Sequence, residues 1–366
     1  MLSRKSVIPA ALLCGALSSP ANAQSIATYR HFTKAVTVVP LPKRVLALYY
    51  PWYGSPEFSG KWLHQDGVNT VTGTIASHTH YPLSGPYDSA DPAVIERHLK
   101  QAKSAGIDTL VCSWWGRNDL TDVAIQMLLK QAPKYGMTVC IFWEPYRPLL
   151  TPQAARADLA YILQAFGKQP GYLRSDGKPV VFLYSRTSQA LASSQWAEVL
   201  KETAGKNSPG ILAIADNEAQ TDSQVWGGSY SLGAISRMGG LNQTQSAQML
   251  HQIFQSQRAG NRPPNYLTVE TLAPGYDDRR QNGAPGALVD RQSGQRYRSL
   301  WEQALKDAPD WILINSFNQW HNGTEIEPSR EMGSDYLQMT RLFAERFKAA
   351  NRLPIQRPTP GIPSER

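Results

Sequence analysis

Cysteine is scarce in this chain: three residues in 366, one of which, Cys14, falls near the N-terminus. Cys112 and Cys140 both lie inside apolar runs, and a chain this long buries enough surface to fold without a staple, so buried thiols are expected rather than a disulfide. No apolar stretch approaches the roughly 20 residues that span a bilayer, so no membrane insertion is expected. No G-x-G-x-x-G or Walker-type run follows any predicted strand, and no G-x-S-x-G elbow is present, which sets aside nucleotide-binding and esterase readings. There is no H-E-x-x-H and no cysteine cluster, and the His78-x-His80 pair in a polar loop does not make a metal site, so neither metal nor cofactor is expected. Charge of one sign is nowhere concentrated. The 37 Lys+Arg and 29 Asp+Glu give +8 without a long basic run, which reads as a solvated mixed surface with no nucleic acid as partner.

What is present begins with a leader. Arg4 and Lys5 precede an apolar run from Val7 to Leu17, and Ala21-Asn22-Ala23 is a small-x-small cleavage site. This pattern reads as a secretory signal peptide cut after Ala23, placing the mature chain outside the cell or in a periplasm. Residues 24–352 then read as one domain. The stretch 353–366, with Pro354, Pro358, Pro360 and Pro363, reads as an extended tail. With 42% apolar and 18% charged residues the chain is a folded protein.

Short β-branched or aromatic runs alternate with segments of helical periodicity. Eight strands are predicted: Val45–Tyr49, Thr109–Ser113, Thr138–Trp143, Val180–Tyr184, Ile211–Ala215, a weak one at Ser229–Ile235, Tyr266–Thr271 and Trp311–Ser316. Helices are expected at Pro92–Ala105, Asp122–Tyr135, Pro152–Phe166, Gln195–Ala204, Thr244–Gln257, Tyr297–Lys306 and Asp335–Ala350, the first capped by Ser89 or Asp91. Eight such units point to an α/β fold, a (β/α)8 TIM barrel with a long insertion from Trp52 to Ser89; a doubly wound open sheet is the alternative.

In such a barrel chemistry sits where strands end. Those positions hold Tyr50, Trp52 and Tyr53; Trp114 and Trp115; Glu144 and Tyr146; Tyr184 and Arg186; Asp216 and Glu218; Tyr230; Tyr276, Asp277 and Asp278; and Asn318, Gln319, Trp320, His321 and Asn322. Aromatic faces mixed with carboxylates and amides suit an oligo- or polysaccharide, whose C–H faces stack on rings while its hydroxyls need paired donors and acceptors. The dull reading of a Trp-Trp pair at a strand end is a core plug.

The chain resembles glycoside hydrolase family 99, the endo-α-1,2-mannosidases and mannanases. The resemblance rests on Tyr50-Pro51-Trp52-Tyr53-Gly54 with Gly60-Lys61-Trp62-Leu63-His64, Tyr87-Asp88-Ser89, Glu144-Pro145-Tyr146, Pro274-Gly275-Tyr276 with Asp278, and Ser316-Phe317-Asn318 through Ile326-Glu327. It implies a (β/α)8 barrel. It also implies a catalytic pair of glutamates in Asn-Glu-Trp-His-Glu, one taking the proton of the sugar 2-hydroxyl and the other protonating the leaving oxygen. Here those two positions are Gln319 and Asn322, and an amide has no accessible proton equilibrium near neutral pH. Three outcomes stay open. The proton-transfer groups have moved to other rim carboxylates, with Glu144, Glu218, Asp277, Asp278, Glu325 and Glu327 as candidates. Alternatively the protein binds glycans without turnover, or the rim serves as a scaffold for another protein.

Overall fold

The computed structural model describes residues 42–145, 149–204, 210–216, 224–259, 265–281 and 286–350. The expected leader, the expected tail and the candidate residues Tyr146 and Glu218 lie outside them.

Eight parallel strands close into a barrel: β1 (Arg44–Tyr49), β2 (Thr109–Trp114), β3 (Thr138–Trp143), β4 (Lys178–Leu183), β5 (Leu212–Asp216), β6 (Gly228–Tyr230), β7 (Leu267–Leu272) and β8 (Trp311–Ile314). Each pairs with its neighbours in chain order, and β8 returns to β1 with Arg44 opposite Trp311 and Ala47 opposite Ile314. The strands read as near-continuous apolar runs because helices cover the barrel outside and side chains fill it inside. The predicted weak sixth strand is three residues long, yet it is the link between β5 and β7, with Gly228 opposite both Ile214 and Leu267. Glycine is needed there because a Cβ on Gly228 would come 2.8 Å from the Leu267 carbonyl oxygen.

The helices are α1 (Pro92–Ser104), α2 (Leu120–Gln131), α3 (Pro152–Tyr161), α4 (Ser193–Ala204), α5 (Gln243–Arg258), α6 (Gln295–Asp307) and α7 (Asp335–Ala349). Asp91 caps α1 by accepting from Ala93 N, with Pro92 at the first helical position, where its missing N–H leaves no gap. The helix expected to begin at Asp122 begins two residues earlier, because Asp119 accepts from Thr121 N and caps it there. Cys112 and Cys140 are buried free thiols on β2 and β3, and burial pushes both thiols up.

Between β1 and α1 the insertion folds back over the carboxyl ends of the strands. It is tied down by a Gly54–Leu63 bridge and by Thr79 N donating to Trp320 O at 3.0 Å. It brings Trp52, His64, His78, His80 and Tyr87 against the loop that follows β8.

Candidate active site

At the end of β1 the backbone of Tyr50 is gripped by the Asn318 side chain, which accepts from Tyr50 N at 2.8 Å and donates to Tyr50 O at 3.1 Å. Asn318 thus extends the β1–β8 pairing one step beyond the barrel. It acts on the backbone and is fully buried, so the expected sugar-binding role does not fit its position.

Five rings cluster at the mouth. Trp52 stacks on His64 (centroids 4.8 Å, 13°) and meets Trp115 edge-on at 5.3 Å and His321 at 5.9 Å. Tyr50 lies against Trp52 at 4.6 Å. Trp115 Nε1 donates to Ser113 Oγ at 3.0 Å, and Ser113 Oγ donates to Glu144 Oε2 at 3.0 Å. On the far side His321 Nδ1 is 3.3 Å from Gln319 Oε1. A chain of contacts therefore runs from Glu144 through Ser113, Trp115, Trp52 and His321 to Gln319. Tyr184, beneath the Arg186 guanidinium at 5.4 Å, and Tyr276 are half-buried at the same end of the barrel.

Burial pushes the Glu144 carboxyl up to about 7, against the pull of its Ser113 hydrogen bond and the Arg186 charge. Among the described residues, the other candidate acids at this end each have a protein partner. Glu327 accepts from Tyr87 OH at 3.0 Å and pairs with His98 Nε2 at 3.0 Å, while His98 Nδ1 meets Tyr49 OH at 2.9 Å. Glu325 is buried between His80 at 2.8 Å and Arg291 at 2.5 Å. Asp277 is forked by Arg279, whose guanidinium holds that carboxyl below the usual range. Asp278 accepts from Tyr276 OH at 2.8 Å and Ala287 N at 2.7 Å. Asn322 Oδ1 accepts from Gln281 Nε2. Glu327 thus has partners on both carboxylate oxygens, and Glu325 is held through Oε1 while its Oε2 is buried without a partner among the described residues.

Four aromatic residues expected at the mouth are inside the protein, each with its polar atom satisfied there. Trp114 is a core plug, donating to Asp122 at 2.8 Å and packed on Tyr161. Tyr53 OH donates to Asn318 O, Tyr230 OH to Leu183 O, and Trp320 Nε1 to Tyr87 OH. All four are fully buried. Sequence reasoning missed Tyr87, His98 and Arg291, the partners of Glu327 and Glu325. His98 lies 229 residues from Glu327, and no local pattern announces such a pairing.

Residues 40–342 match glycosyl hydrolase family 99. The chain belongs to this family. It is 28% identical to the glycoprotein endo-alpha-1,2-mannosidase of Mus musculus, over 84% of this chain and 76% of the mouse protein. The Xenopus laevis protein of the same description is 27% identical, over 82% and 76%. In three dimensions the chain is similar to the GH99 endo-alpha-mannosidase from Bacteroides thetaiotaomicron, with a TM-score of 0.72 and 26% identity over 85% of this chain and 99% of that one. Family 99 homologues are glycoside hydrolases, and the barrel of this chain is similar to theirs. No group of three or more His, Cys, Asp or Glu able to hold a metal ion occurs among the described residues.

Proposed function

We propose that the protein seats an oligo- or polysaccharide of the α-mannoside class in the barrel mouth and hydrolyses it with Glu144 as the surviving acid. The substrate class comes from the endo-alpha-1,2-mannosidases it resembles. The observation that carries the reading is Glu144: half-buried at the mouth, joined to the ring cluster through Ser113, and held near neutrality. Such a carboxyl is half protonated around pH 7 and can donate to a leaving glycosidic oxygen. In that step the glycosidic C–O bond breaks as the Glu144 proton moves to its oxygen. A water oxygen bonds the anomeric carbon and its released proton restores Glu144. Gln319 and Asn322, at the positions that the family resemblance assigns to the catalytic pair, hydrogen-bond sugar hydroxyls without taking their protons. Secretion, read from the leader, belongs to the same proposal.

A second reading, binding without turnover, is favoured by the engagement of Asp277, Asp278, Glu325 and Glu327 with protein donors. Glycoside hydrolysis generally uses two carboxyls. Incubation with α-mannan followed by product analysis separates the readings. Oligosaccharide release that disappears in Glu144→Gln supports hydrolysis, and retention of mannan without release supports binding alone. If the protein neither binds nor cleaves α-mannosides, both readings fail.

A further inference from the structure

The insertion between β1 and α1 has two faces, and only the inner one, with Trp52, His64 and His78, belongs to the mouth. Its outer face and the start of α1 enclose a separate cavity of about 440 Å³. The cap residue Asp91 with Val94 and Arg97 of α1 places the start of that helix on it, and Glu57, Phe58 and Trp62 line it from the insertion. It shares no residue with the cluster of Trp52, His64, Trp115 and His321.

The lining defines the ligand chemistry. Phe58 is 48% exposed and Trp62 half-buried, so two rings reach this cavity, and ring faces are what the C–H faces of sugars stack upon. Three carboxylates, Glu57, Asp88 and Asp91, stand against one guanidinium, Arg97, which disfavours a phosphate, a sulfate or an acidic sugar. Asp88 is already engaged by Ser55 N at 2.7 Å, Ser59 Oγ at 2.6 Å and Ala90 N at 2.8 Å, and acts as the floor of the turn. Asp91 uses one oxygen to cap α1, leaving the other for a hydroxyl. The Arg97 guanidinium stands on the same wall as the one cation of the lining. Rings, acceptors for hydroxyl protons and a guanidinium donor are the set that a neutral polyhydroxylated ligand satisfies.

We propose that this cavity is a second saccharide-binding site, taking neutral hexose units of a polysaccharide independently of the mouth. Binding here raises the residence of the protein on a polymer, because a chain held at one site is at high effective concentration for the other. The proposal does not require that Glu144 catalyse anything.

The test is native affinity electrophoresis of the whole protein in gels cast with yeast α-mannan, with dextran as a second neutral polymer and dextran sulfate as an anionic one. Trp62→Ala and the milder Phe58→Ala probe this cavity, and Trp115→Ala probes the mouth. Each is checked for an unchanged thermal midpoint. The expected result is retardation in a neutral gel that weakens about three- to tenfold in Trp62→Ala or Phe58→Ala and persists in part in Trp115→Ala. Retardation that survives Trp115→Ala and vanishes with Trp62→Ala supports this site even if the mouth binds nothing. Should the two cavity variants migrate as the wild type does, or should the wild type be retarded only by dextran sulfate or by no gel at all, the proposal is overturned.

Discussion

Glu144 carries the chemistry proposed here, and its environment fixes the direction of the pH dependence. As a general acid it must be protonated, so with its carboxyl near 7 turnover should fall as pH rises through that value. A pH–rate profile on α-mannan that is flat from pH 6 to 8 would contradict the assignment. Gln319 and Asn322 give the complementary prediction. Gln319→Glu with Asn322→Glu should raise turnover of α-1,2-mannosides by about 10² or more if only the catalytic pair has diverged, whereas a folded, sugar-binding, inert double variant would show that the substrate has changed too. His78 and His321 speak to stability instead. Burial lowers them to about 3 and about 4, so the unfolded chain takes up their protons first, beginning near 6.5. Their contribution is complete above that pH and is lost as pH falls toward 4. Thermal midpoints measured across this window should drop less steeply in His321→Asn than in the wild type; an unchanged slope would exclude the effect. These environments were not legible in the sequence, because burial around a strand end depends on where the insertion lands.

At the scale of elements, the apolar runs and capping signals located every strand and helix of the barrel, although the sixth strand ends at Tyr230 and the third helix at Tyr161, each five residues before the expected end. Asp91 is a case where a local pattern sufficed: a cap followed by proline needs nothing from the rest of the chain. Asp91→Ala should lower stability by about 1 kcal/mol, read from denaturant midpoints at constant slope. The direction of a side chain at a strand end was beyond such reading. Trp114 and Trp115 are adjacent and chemically identical, yet Trp114 turns to Asp122 behind the barrel and Trp115 to Ser113 at the mouth. The alternation of strand faces separates the two, and only the packed helices decide which face is closed. Glu327 shows the same limit, since its place beside Tyr87 and His98 depends on the insertion and α1 meeting the β8 loop. Glu327→Gln should therefore destabilise the fold, whereas Glu144→Gln, at the mouth, should leave the thermal midpoint nearly unchanged. Equal losses would mean that both are structural.

For the whole molecule, closure of the barrel depends on its shortest strand. Gly228 bridges β5 and β7 where no side chain fits, so Gly228→Ala should lower the thermal midpoint of the entire chain, not loosen one loop. The barrel, its insertion and its family were readable from the order of motifs along the chain. The functional consequence was less so, because it turns on the burial and the hydrogen-bond partners that the fold gives each rim acid. The decisive measurement is product analysis after incubation of α-mannan with the wild-type protein and with Glu144→Gln at matched folding and binding. The wild type should release oligosaccharide and the variant none, with mannan binding retained in both. Equal release by the two proteins would contradict the role of Glu144.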